Sequence, residues 1–504
     1  MEAAPVDAAR HDDSGAVPRV GFEWRGVGGI VAVVAVAHGA IATRYGWHRD
    51  EFYYVAAGRR LAWGYVDQPP LTPLLARAAN AAGRLVGLRV AAIVVQAATI
   101  VVAALVAREM GGGRRAQLLT AGCIAGCAVF IGASLFLGTT PVDQLCWTLI
   151  IWAALRAMRT ATTRAWVLAG IAAGVGLDNK HTVAVLLVAL LAGLLVTNPT
   201  VLRTRGPWLA AGIAAVVWAP NLWWDATHHW ETLHMASALA DKQGGIGGSI
   251  TQLPLLMLLF PGPPIVFMLL RGLRWGRRDG PDRTYRWLLI TGAVVVTVFT
   301  LAGGKPYYSA PMFVPFFALG SIATERHAFG RPRWPATVPT LIATSAIVGS
   351  VLALPYLPAS FASAVRPISK EPMETYGWPN LATQVAAVAA ANPGVVAVYV
   401  SNYGEAGALH THGRSAGLTL PVVTGHNAYR DWGPPPGTPT DVLAVGEFDQ
   451  TFLSRAWTDV EQIAVISLPD HLHNEETANH TTIFHCQGPK GTWQQLWPTL
   501  SYLA

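Results

Sequence analysis

Two carboxylates, Asp50 and Glu51, stand side by side in "HRDEFYYVAAG" (48–58), just after an apolar run that ends at Ala42. Such a pair can take and return a proton, one member acting as base while its neighbour orients it. It can also cap a helix, where a carboxylate on free amides contributes about 1 kcal/mol or less, and capping explains one acid more readily than two. Asp67, ahead of two prolines in "GYVDQPPLTPLLARAA", reads as a turn residue or as a further acid of the same site. "GTTPVDQLCW" puts Asp143 at the edge of another apolar run, with amide capping by Asp143 and Thr140 as the plain structural account. "GLDNKHTVAVLL" interrupts a long apolar tract with Asp178, Lys180 and His181; an ammonium there needs an anion, either Asp178 or an anionic ligand. "GGKPYYSAP" adds Lys305 with Tyr307 and Tyr308, a common pairing at a membrane interface. "PNLWWDATHHWETLHMA" adds Asp225, His228, His229 and His234, which lack the i, i+4 pair and third ligand of a zinc protease helix.

The elements that carry these residues are hydrophobic. Of 504 residues 52% are hydrophobic and 13% charged, against about 25% charged in a soluble domain. Apolar runs long enough to cross roughly 30 Å of hydrocarbon recur, and a single cleaved signal segment cannot account for them. Spans are expected near 27–43, 85–107, 117–137, 143–158, 165–178, 181–197, 208–224, 249–270, 286–302, 307–322 and 336–354, about eleven in all. With a cytoplasmic tail at 1–26 and an uncleaved first anchor, alternate connections hold the arginines: Arg108, Arg114 and Arg115; Arg156, Arg159 and Arg164; Arg203 and Arg205. The later ones hold Arg271, Arg274, Arg277, Arg278, Arg283 and Arg286, then Arg326, Arg331 and Arg333. That positive-inside bias accounts for the net charge of +7 and removes nucleic acid as the expected partner. The acids fall in the opposite connections, including the long outer loops 44–84 and 225–248. The chemistry therefore faces outward from the plasma (inner) membrane.

After about Pro355 short β-branched runs, "VVAVYVS" (395–401) and "DVLAVG" (441–446), alternate with helix-like stretches at 380–391, 403–411 and 450–457. They imply an extracytoplasmic α/β domain over 355–504, beside a membrane domain over 27–354. The two thiols Cys123 and Cys127 share a helix face without acid or His company, as buried small residues do, and Cys486 has no partner for a disulfide in the C-terminal domain.

In order along residues 27–322, "DEFYY", "GYVDQPPLTPLLA", "TTPVDQLCW", "GLDNKHTVAVLL", "PNLWWDATHHW" and "KPYYSAPMFVPFFALGS" resemble the C-type (GT-C) membrane glycosyltransferases of the protein O-mannosyltransferase and aminoarabinose transferase superfamily. The resemblance implies a mainly α polytopic membrane protein whose donor is a sugar on a polyprenyl phosphate, used without a nucleotide. It implies Asp50 as general base with Glu51 supporting it and Asp143 among the catalytic acids. The donor phosphate would meet Lys180 first, then Lys305 and Arg89, with Tyr307 and Tyr308 beside them. A divalent ion (Mg, Mn or Zn) would sit on Asp67 and His234. The acceptor would be a protein, lipid or glycan hydroxyl, and membrane lipids surround the whole. Two departures bear on the phosphate clamp: Gln68 stands where aminoarabinose transferases place a Lys, and Asp178 where relatives are neutral. The alternative is a transporter or flippase of lipid-linked sugars, with the same charges lining a pathway; such proteins carry paired halves and broken helices at mid-membrane, whereas here the acids cluster in loops. A binding module needs one anchoring span, not many.

Overall fold

The computed structural model describes residues 21–253, 258–277, 285–327 and 336–503. Residues 1–20 of the expected tail, and Arg278, Arg283, Arg331 and Arg333, lie outside the described residues. Helices dominate as far as Ala353, and two of them, Trp24–Ile41 and Leu71–Glu109, are long and apolar enough by themselves to cross a bilayer. Thr163–Leu177, Thr182–Thr197, Arg286–Leu301 and Thr337–Ala353 are shorter apolar helices. Val33, Val36, Val90, Val94, Val196, Val216 and Ile347 are exposed on the outside of this bundle. A soluble chain would bury them; lipid contact lets them stay outside.

Among the described residues, three of the expected spans are not single continuous helices. The run 117–137 breaks at Cys127 into Arg114–Gly126 and Ala128–Ala133. The run 249–270 is divided among Gly245–Thr251, a 3₁₀ turn at Pro263–Ile265 and Val266–Gly276. The run 307–322 opens as a 3₁₀ stretch, Pro306–Met312, before the helix Phe313–His327. Proline explains two of these breaks, because each ring removes a backbone donor. Leu71–Glu109 itself bends where Gly83 (φ −172°) and Arg84 (φ 50°, ψ −130°) leave helical geometry. The segment from Leu71 to this bend is thereby set apart from the apolar segment beyond it.

The C-terminal part forms β1 (Ala397–Val400), β2 (Val422–Val423), β3 (Gly425–His426), β4 (Asp441–Gly446), β5 (Trp457–Val465), β6 (Thr482–Pro489) and β7 (Ser501–Tyr502). The main sheet has the order β2-β1-β4-β6-β5, parallel through β2, β1 and β4 and antiparallel at β6 and β5; β3 pairs with β7. The stretch expected as a helix over 450–457 is one turn, Gln450–Leu453, that gives way to β5. Alternation along the strands supplies two cores. Tyr399, Ala444 and Phe484 turn to Trp457, Trp493 and Trp497. Val398, Val400, Leu443 and Val445 turn to Trp378, Leu381 and Leu409, and this second core continues into Phe52, Tyr53 and Tyr54 of the helix Arg49–Arg59.

That continuity depends on Gly407, in the helix Tyr403–His412. A Cβ added there would overlap the Cβ of Phe52. Gly407→Leu is therefore expected to separate the two helices and cost about 1–3 kcal/mol as overpacking. Limited proteolysis of the purified variant, with faster release of a C-terminal fragment than in wild type, is the check.

A second device in this part is a pair of buried carboxyl groups. Glu405 Oε2 accepts from the Ser401 N–H (2.9 Å), the Ser401 hydroxyl (2.8 Å) and the Asn402 N–H (3.1 Å). Its side chain also bonds the Glu476 carboxyl, and burial followed by the Glu476 charge holds Glu405 well above its usual range; burial raises Glu476 as well. The folded pair keeps a proton that the unfolded chain releases near the ordinary glutamate value of 4.5. The folded state then binds more protons at neutral pH, so this contribution is fully present below that value and is lost as pH rises. In Glu405→Gln an amide N–H replaces the shared proton. Its thermal midpoint is expected to fall less than that of wild type between about pH 5 and about pH 8.

Candidate functional site

The helix Arg49–Arg59 starts at His48, whose Nδ1 accepts from the Asp50 N–H (3.1 Å) while Glu51 Oε2 accepts from the His48 N–H (2.9 Å). Glu51 is thus the acid that capping explains. It is fully buried and paired with Arg89 at 3.0 Å, and Arg89 also donates to the carbonyls of Leu135 and Gly46. Arg89, expected at the donor phosphate, is instead held by Glu51 and the backbone inside the bundle. It fastens the loop before the carboxylates to the crossing helix.

Asp50 is left free of the cap. Its Oδ1 accepts from the Tyr403 hydroxyl at 2.8 Å, across 353 residues of chain. Asp67 accepts from the Tyr53 hydroxyl (2.8 Å) on one oxygen and from Asn427 Nδ2 (3.3 Å) on the other. The Tyr53 hydroxyl in turn accepts from the Ala428 N–H at 3.3 Å. Tyr53 and Tyr403 stack with centroids 4.6 Å apart. Both acids are therefore held by one tyrosine face, and each takes a donor from the C-terminal part. Burial pushes Asp67 up to about 7; Tyr53 and Asn427 oppose this, and the Asp50 charge adds to it. Beside it Gln68 is buried with neither amide atom hydrogen-bonded, so a polar ligand here would find an unpaired donor and acceptor.

Lys180 packs against two further tyrosines. The Lys180 ammonium stands 4.4 Å from the Tyr308 ring centre and 5.5 Å from that of Tyr307, and Tyr307 lies within electrostatic range of Asp50. Burial pushes Lys180 down to about 8, with Asp143 opposing and Lys305 reinforcing. Asp143, not Asp178, is the carboxylate that answers this ammonium. Asp143 does not cap its helix, Thr139–Thr160; both its oxygens accept from the Thr182 hydroxyl at 2.9 Å. Asp178 contributes its backbone carbonyl, which accepts from the Leu71 N–H (2.9 Å). Next to it Asn179 accepts from Thr72 (2.7 Å) and donates to the Thr139 carbonyl (2.9 Å), tying three helix ends together under the site. Lys305 lies in the field of Glu371, which pairs with His48 at 3.4 Å.

The expected metal pair is not assembled. The Asp67 oxygens are occupied by Tyr53 and Asn427, and His234 is exposed on the helix Glu231–Lys242. Among the described residues no group of three or more His, Cys, Asp and Glu could hold a metal ion. These residues do not fit a divalent ion. Asp225 and His181 meet elsewhere, at 3.9 Å, with Asn221 bonding His181 at 2.9 Å and the Trp63 carbonyl at 2.8 Å.

Tyr403, Asn427 and Glu371 were not among the sequence candidates. The residues they meet, Asp50, Asp67 and His48, lie more than 300 positions away, and no local spacing encodes such a pairing.

Residues 67–224 match the family model of dolichyl-phosphate-mannose-protein mannosyltransferase. No curated protein matches the chain in sequence. Among solved structures, ArnT from Cupriavidus metallidurans bound to undecaprenyl phosphate is 15% identical, with 91% of this chain and 97% of that one covered and a TM-score of 0.59. Its apo state is 14% identical with the same coverage and TM-score. The Archaeoglobus fulgidus oligosaccharyltransferase tethered with an acceptor peptide is 12% identical, covering 79% of this chain and 64% of that one, with a TM-score of 0.49. The mannosyltransferase pattern thus runs across Asp67, Asp143 and the Lys180 turn, and the fold is shared with the ArnT structures along 91% of this chain.

Proposed function

We propose that the protein transfers a sugar from a polyprenyl-phosphate donor to an acceptor hydroxyl at the non-cytoplasmic face of the inner membrane, with inversion. In this reading residues 27–354 form the catalytic membrane domain and 355–504 an extracytoplasmic domain that completes the site. The observation that carries it is the meeting of opposite charges around Tyr307 and Tyr308: the Lys180 ammonium lies over both rings with the Lys305 charge acting on it, and the Asp50 carboxylate acts on Tyr307.

The acceptor oxygen attacks the anomeric carbon as the bond from that carbon to the phosphate oxygen breaks. The phosphate leaves with the electron pair and Asp50 takes the hydroxyl proton. Glu51 fixes the helix that carries Asp50. Lys180, desolvated and facing a second ammonium, gains most when an anion arrives, which suits it to the developing charge on the leaving phosphate. The unpaired Gln68 amide is placed to bond a sugar hydroxyl beside Asp67. Protein, lipid and glycan acceptors all offer such a hydroxyl.

Undecaprenyl phosphate tests the donor side directly. Lys180→Ala in the purified protein is expected to weaken its binding by about tenfold to a hundredfold, the value of one charge-assisted hydrogen bond. An unchanged Kd by tryptophan fluorescence titration would reject Lys180 as the phosphate ligand.

A further inference from the structure

We propose that Arg59, Arg60, Arg77 and Arg84, with His410 and His412, form a seat for the headgroup of an anionic phospholipid. This site is separate from the carboxylates and its occupancy does not depend on glycosyl transfer. The four arginines are exposed. Arg59 and Arg60 end the helix that begins with the carboxylate pair. Arg77, from the segment before the bend, packs on Gly58 and donates to its carbonyl at 3.4 Å. Arg84 sits at the bend, and directly beyond it Val86, Val90 and Val94 are exposed at four-residue spacing along the crossing segment. The guanidiniums thus lie at the level where hydrocarbon gives way to headgroups, and exposed Leu61, Trp63 and Leu74 flank them.

Among the described residues no carboxylate pairs with any of the four. The contrast is with Arg49, which meets Glu475 at 2.8 Å, and Arg430, which meets Glu231 and Asp431 at 3.0 Å. The positive field has measurable neighbours. His410 is held below its usual range by burial and then by Arg59 and Arg60, and His412 by burial and then by Arg84. Against the same arginines lies a second unsatisfied group: the Tyr429 hydroxyl is buried without a hydrogen-bond partner, its ring 4.4 Å from Trp432, over which Arg60 stacks at 4.5 Å. A phosphodiester supplies what is missing, negative charge for the guanidiniums and an acceptor for the phenol.

The test uses the full-length protein in neutral detergent, with phosphatidylglycerol and phosphatidylcholine offered at equal concentration and retained lipid counted by native mass spectrometry. Wild type is expected to retain phosphatidylglycerol at least tenfold over phosphatidylcholine. Arg59→Gln/Arg60→Gln and, separately, Arg84→Gln are expected to reduce that preference severalfold while leaving the thermal midpoint in place. Equal retention of the two lipids by wild type would overturn the proposal. So would variants that keep the preference. Displacement of phosphatidylglycerol by an equimolar amount of undecaprenyl phosphate, lost in the same variants, would also overturn it, by assigning the seat to the donor.

Discussion

Asp50→Asn is expected to lower sugar transfer by about 10²-fold or more, the scale of lost general-base catalysis, with undecaprenyl phosphate binding unchanged. The substitution is nearly isosteric, and an amide oxygen can still accept from the Tyr403 hydroxyl that Asp50 binds at 2.8 Å. The loss then reports the missing proton acceptor rather than a shifted helix. Tyr403→Phe is the companion variant. It keeps the carboxylate and removes the bond that orients it, so transfer should fall less than in Asp50→Asn. Transfer is measured with a polyprenyl-phosphate sugar pool extracted from membranes, and product is read by mass spectrometry. A fully active Asp50→Asn protein would remove the base from the mechanism.

The largest effect on stability is expected at Arg89. Arg89→Met leaves the fully buried Glu51 without its cation and should destabilise the protein by about 3–5 kcal/mol, the usual consequence of breaking one side of a buried pair. It also releases the Leu135 and Gly46 carbonyls that Arg89 satisfies. Glu51→Gln in the same background removes the stranded charge yet keeps an oxygen for the His48 N–H, so the double variant should recover part of the loss. Thermal unfolding in detergent compares the three proteins. An Arg89→Met midpoint equal to that of wild type would mean that the pair contributes nothing.

Much of this molecule is written locally. Hydrophobic run length marks the helical class, short β-branched runs mark β1 and β4, and of the charged residues singled out by type Lys180 packs on Tyr307 and Tyr308. What local pattern does not contain is competition for partners. Asp50 and Glu51 look equivalent in sequence, and only the His48 cap and Arg89 separate them into a held acid and an available one. Lys180 has Asp178 two residues away, yet the helix turn points it to Asp143, 37 positions earlier in the sequence. Asp67 is a metal ligand only in what the resemblance implies, and Tyr53 with Asn427 occupy its two oxygens. Each of these outcomes is decided by tertiary packing over long sequence separations, where residue type and spacing carry no information.

The shared tyrosine face also sets an order of events during synthesis. A ribosome adds roughly 5–20 residues per second, and Tyr403 follows Asp50 by 353 residues. For many seconds after Asp50 and Asp67 have been made, the Tyr403 hydroxyl and the Asn427 amide that hold them are still to come. A nascent chain with every helix of the bundle in place therefore still has an unfinished site, which is completed only when the last fifth of the polypeptide has been made and has closed over the beginning.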